Sequence, residues 1–86
     1  MKVANYMELI VTDKMESILK GTNTCLCEMC KSDIAAIALN NLKPHYFATD
    51  KGFLFSKLKA LEVQALADVA TQITHAAALV SSRPRH

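Results

Sequence analysis

All three cysteines of this 86-residue chain fall within six consecutive positions, Cys25-x-Cys27-x-x-Cys30. That clustering constrains the fold more than any other feature. A chain this short buries only about 60–65% of the surface its unfolded form exposes, so its hydrophobic core is thin. Domains of this size usually carry a staple, in the form of a metal, disulfides or a partner subunit. Three is an odd number for a disulfide framework. Thiols at such short spacing suit a metal in a reducing compartment, and zinc takes thiolates at about 2.3 Å in a tetrahedron. Two other readings stand beside this one. Cysteine is a common buried apolar residue, and Cys27-x-x-Cys30 has the spacing of a redox pair, although no strand-then-helix setting surrounds it. The metal reading is favoured because every cysteine joins the cluster in a chain that needs a staple. A fourth ligand is not local. Glu28 and Asp33 match a thiol-rich site poorly, which leaves His45, His75 and His86 as candidates.

Composition narrows the fold class. An apolar fraction of 51% with 21% charged residues excludes a disordered chain. With no Trp and 6% aromatics, the core must be aliphatic and rich in Ala, which points to closely packed helices. The expectation is a single all-α domain over residues 1–86, with three main helices, stapled by zinc and homodimeric. No run of 18 apolar residues is present, and Met1–Glu8 carries no signal-peptide core, so the expected location is the cytoplasm.

Apolar periodicity places the helices. Val3, Met7, Ile10, Val11, Met15, Ile18 and Leu19 recur at helical steps over residues 3–20, and Gly21 stands where a left-handed residue ends a helix. A second helix is expected from Cys30 or Ser32 to Leu42, with Asp33 in its first turn, buried through Ile34, Ile37, Ala38 and Leu42 and stopped by Pro44. Residues 46–55 read as a short hairpin or a tight turn, with Tyr46–Thr49 and Phe53–Phe55 flanking Asp50-Lys51-Gly52. The last helix is expected from Ser56 to Val80. One stripe is Leu66, Val69, Ile73, Ala76 and Val80, and a second beside it is Val63, Ala67, Ala70, Thr74 and Ala77. Gln64, Asp68, Gln72 and His75 mark its polar side. Two adjacent apolar stripes imply burial against the chain's own domain and against a second subunit.

The net charge of +2 is too small for bulk nucleic-acid binding, so no direct DNA contact is expected, but the charge is unevenly placed. Residues 1–42 hold four cations and five acids, and residues 43–86 hold six cations and three acids. Lys51, Lys57, Lys59, Arg83 and Arg85 could form a phosphate-binding patch near the aromatic segment. A solvated lysine face is the commoner outcome on spacing alone. No nucleophile–base set, Gly-rich phosphate loop or catalytic carboxylate pair is present, so no enzyme is expected.

The run Cys25-x-Cys27-x-x-Cys30-x-x-Asp33, then Ala38-Leu39-Asn40-x-Leu42-x-Pro44-x-Tyr46, continues through Thr49 and Gly52 into an Ala-rich helix. It resembles the late competence protein ComFB family over nearly the whole chain. The resemblance implies a small, mainly helical, non-enzymatic homodimer with zinc on Cys25, Cys27 and Cys30. Some members carry a fourth Cys a little beyond a Ser-x-x-Pro segment. This chain has none, and His86, two residues after Pro84, stands close to that place as fourth ligand. Several relatives resemble receptors for cyclic di-GMP. For such a ligand, Lys51, Lys57, Arg83 and Arg85 are the expected phosphate contacts, with Tyr46 or Phe53 as stacking surfaces. The alternative is a zinc-stapled structural or adaptor protein, related to competence, that works only through protein partners.

Overall fold

The computed structural model describes residues 3–48 and 55–83, with side chains from residue 60 onward in the second stretch. The chain runs β1 (Val3–Asn5), α1 (Tyr6–Leu19), α2 (Glu28–Asn40), β2 (Tyr46–Ala48) and α3 (Phe55–Ser82). The fold is mostly helical, with three helices. At 1.5 Å per residue, α3 is about 42 Å long, and it sets the longest dimension of the molecule, 41 Å.

The helices meet along the apolar stripes. Helix α1 buries Met7, Ile10, Val11, Met15 and Leu19, and α2 buries Cys30, Ile34 and Ala38. Helix α3 contributes Ala65, Val69, Ile73, Ala76, Ala77 and Val80. Ile34, Val11, Val69 and Ile73 are sealed from solvent, and these β-branched side chains form the centre where the three helices touch. The small residues of α3 let the other two helices approach its axis closely. Polar ties add to this packing. Glu62 on α3 accepts the Tyr6 hydroxyl and lies 3.5 Å from the Lys14 ammonium, both from α1. Burial and the adjacent Glu62 carboxylate hold the Tyr6 phenol above its usual range.

The structure departs from the sequence pattern in four places. Val3 does not open α1. Val3–Asn5 instead pairs antiparallel with Tyr46–Ala48, in the register Val3 with Ala48 and Asn5 with Tyr46. The expected hairpin at 46–55 is therefore replaced by a clasp between distant segments. Its first arm is a strand, Phe55 belongs to α3, and residues 49–54 lie outside the described residues. Helix α2 begins at Glu28 and ends at Asn40, so Asp33 sits in its second turn. Of the second α3 stripe only Ala77 is buried. Ala70 is half-buried, and Val63, Ala67 and Thr74 are exposed.

Asn5 explains the clasp. Its Oδ1 accepts the Met7 N–H at 3.1 Å, which caps α1, and the His45 N–H at 2.9 Å, from the loop 40 residues away. The Tyr6 N–H donates to the His45 carbonyl at 2.7 Å. Tyr6 and Phe47 then meet edge to face, with ring centroids 6.0 Å apart. One side chain thus satisfies an orphan helix donor and fixes the loop before β2. Asn5→Ala should cost about 0.5–2 kcal/mol, the range for lost N-caps. The thermal midpoint should fall by about 4–8 °C per kcal/mol in a domain of this size. An unchanged midpoint would contradict the clasp.

Candidate metal centre

The cysteine cluster is assembled by two helix ends. Helix α1 stops at Leu19, and Gly21 adopts φ +87°, a left-handed turn that a side chain would strain. The Thr22 N–H and hydroxyl both donate to the Leu19 carbonyl, at 3.0 and 2.7 Å, and the Thr24 N–H donates to the Thr22 hydroxyl at 3.3 Å. These bonds fold the loop back on the end of α1 and lead the chain into Cys25. Cys27 then caps α2, its Sγ accepting the Cys30 N–H at 3.4 Å. Sulfur is a weak acceptor, and this cap is why α2 begins earlier than the sequence pattern suggests. Cys30, in the first turn, faces the core and is 2% exposed, whereas Cys25 and Cys27 face solvent.

The three sulfurs lie within 4.8 Å of one another. In a tetrahedral site with metal–sulfur bonds of about 2.3 Å, sulfurs stand about 3.8 Å apart, so the cluster fits one ion with little movement. The electrostatics suit a cation. The N–H of Cys30 pointing at Cys27 lowers that thiol's pKa. Burial, then hydrogen bonds with Cys27 and Cys25, push Cys30 up to about 12. A divalent ion reverses the second effect, because it replaces the shared protons and neutralises the sulfurs it gathers. Lys31 does not serve as their counter-charge. Its ammonium is held 3.1 Å from Glu16 and 3.3 Å from Glu28, and the Glu16 bond chiefly raises its pKa. The same bridge sets the start of α2 against α1.

Among the described residues no fourth His, Asp or Glu joins the cluster. His75 is exposed on α3, and His45 stands in the loop clamped by Asn5. His86 lies outside the described residues, as do Lys51, Phe53 and Arg85 and the side chain of Lys57. Arg83 follows α3 and Tyr46 opens β2, both exposed. A cleft of about 190 Å³ between the loop before β2 and α3 was not foreseen. Its signal was present, since Gln64 and Asp68 are four residues apart on one helix face, but they read as ordinary solvated residues.

The described fold is a small three-helix domain, clasped by two short strands, with three thiols gathered at the start of its second helix. This chain belongs to the ComFB family, whose model for late competence development protein ComFB matches residues 4–84. It is 23% identical over 83 residues to the competence protein ComFB of Bacillus subtilis, covering 95% of this chain and 85% of that protein. Its fold is similar to the solved structure of the late competence protein ComFB from Bacillus subtilis. That match has a TM-score of 0.74 and 24% identity, covering 95% of this chain and 91% of the other. Among the described residues, no helix is long and apolar enough to cross a membrane.

Protons and metal compete for the three sulfurs, so acid must weaken binding. Cobalt(II), followed by its sulfur-to-metal absorption, should bind more tightly at pH 8 than at pH 6, and Cys30→Ser should abolish the band. Equal affinity at both pH values would contradict coordination by thiols.

Proposed function

We propose that this chain is a non-enzymatic regulatory protein, a zinc-stapled homodimer that binds cyclic di-GMP. Cys25, Cys27 and Cys30 hold the zinc, and His86 completes its coordination. The ion supplies structural cross-linking between the loop after α1 and the start of α2. The observation that carries the dimer is the outer face of α3. Val63 is 75% exposed and Leu66 40%, and Ala67 and Ala70 continue the same side of the helix. Apolar side chains in a row on a small domain mark an interaction surface. The small residues among them let a second α3 lie close.

A two-fold dimer suits a ligand made of two identical halves, because one patch repeated across the axis meets both. Cyclic di-GMP has two phosphates and two guanines. The second half of the chain carries the cations for the former, with Lys51, Lys57, Arg83 and Arg85 as phosphate contacts and Tyr46 as a stacking surface. A second reading is an adaptor that works through protein partners alone. It is favoured by Leu26 and Met29, each 41% exposed beside the cysteine cluster.

Light scattering separates the dimer from a 9.5 kDa monomer. Ala67→Glu should dissociate it with helicity retained. Ala77→Glu, by contrast, places a charge in the protomer's own core and should unfold the chain. A wild-type monomer at micromolar concentration would contradict the dimer. Calorimetric titration with cyclic di-GMP separates the two functional readings. Saturable binding supports the receptor, and no heat with a folded dimer leaves the adaptor.

A further inference from the structure

Cys27 and Cys30 hold different places in the same helical turn. Cys27 is the N-cap of α2, faces solvent, and its Sγ accepts the Cys30 N–H at 3.4 Å. Cys30 lies three residues on and is 2% exposed against the core. An accessible sulfur at a helix start, with a shielded one a turn later, is the arrangement of dithiols that cycle through a disulfide. The helix half of that arrangement is present here although no strand leads into it.

The geometry allows the bond. Helical rise and radius put Cα atoms three residues apart at about 5 Å. That lies inside the range of about 4.4–6.8 Å that a disulfide spans. The sulfurs already stand within 4.8 Å of one another, so closing to about 2.05 Å needs side-chain rotation rather than unwinding of α2. Cys25 is exposed too, but it sits on the non-helical side of the cap. A bond from it to Cys27 would close a tighter ring, through one intervening residue instead of two.

We propose that Cys27 and Cys30 are a dithiol pair that a hydroperoxide converts reversibly to a disulfide. The accessible Cys27 sulfur attacks the peroxide, the O–O bond breaks, and a sulfenic acid and one water (or alcohol) form. The Cys30 sulfur then attacks the Cys27 sulfur, the S–O bond breaks, and a second water leaves with the Cys30 proton. Two thiols give up two electrons and two protons, and the peroxide is reduced by the same two electrons. Burial keeps Cys30 from the oxidant while leaving it beside its target, so capture precedes oxidation of Cys27 to the irreversible sulfinic acid. A sulfur in a disulfide is no longer a thiolate donor, so oxidation and metal occupancy exclude each other. This last consequence rests on the zinc reading, whereas the disulfide does not.

The test treats the full chain with hydrogen peroxide in small excess while a chromogenic chelator reports released metal. Remaining thiols are blocked with iodoacetamide, and those freed by later reduction are labelled with N-ethylmaleimide. Tandem mass spectrometry then assigns each cysteine. The proposal predicts a chain lighter by two hydrogens, with maleimide on Cys27 and Cys30, iodoacetamide on Cys25, and metal released in step. Dithiothreitol should reverse the change, and Cys25→Ser should form the same bond. Oxygen atoms added to Cys27 with Cys30 still reduced, or a bond from Cys27 to Cys25 in place of Cys30, overturns it. A chain that carries no metal yet forms this bond supports the pair and overturns the zinc reading. Metal retained with all three thiols reduced overturns the pair and leaves the zinc reading standing.

Discussion

Cys30 ties the cysteine cluster to the hydrophobic core. Its sulfur is one corner of the three-thiol group, yet the residue is 2% exposed and packs with Ile34 and the buried faces of α1 and α3. A group placed there cannot be rearranged without moving the start of α2. The thiol's pKa of about 12 expresses the same constraint, since burial refuses it a charge in the absence of a cation. Cys25 and Cys27 complete the set from the solvent side, one delivered by the turn at Gly21 and the other by its role as helix cap. In the zinc reading, folding of the loop and binding of the ion are one event, as in other small metal-stapled domains.

A second constraint acts at the opposite end of the helices. Asn5 caps α1 and holds the loop at His45, 40 residues away, and β1 and β2 pair beside it. Helix α3 is the wall shared by both regions. It packs against α1 and α2 through its small and β-branched side chains and leaves a further apolar row, from Val63 to Ala70, facing outward. The ion pairs around Lys14 and Lys31 are screened by solvent and contribute little by comparison. They orient the helices more than they stabilise them.

Much of this was legible in the sequence, and for physical reasons. The α1 stripe from Met7 to Leu19, the stop at Gly21, the long Ala-rich α3 and the cysteine spacing all follow from local rules of period, turn and ligand chemistry. The clasp was not legible. Asn5 reads as one polar residue of an amphipathic helix, and nothing near it announces a partner 40 positions away. The start of α2 was missed because sulfur is an unusual cap. The second α3 stripe looked like one more buried face, whereas within the protomer only Ala77 is buried and Ala70 half-buried. The cleft was missed because Gln64 and Asp68 are unremarkable on a helix surface until the loop at His45 is placed opposite them.

The central proposal is that a metal held by Cys25, Cys27 and Cys30 staples the thin core. The most direct measurement is the metal content of protein purified without added metal, paired with thermal melts before and after chelation. The account predicts one zinc per chain and a large fall in the midpoint once the ion is removed, restored by adding zinc back. A metal-free protein that melts at the same temperature with and without chelator would contradict it.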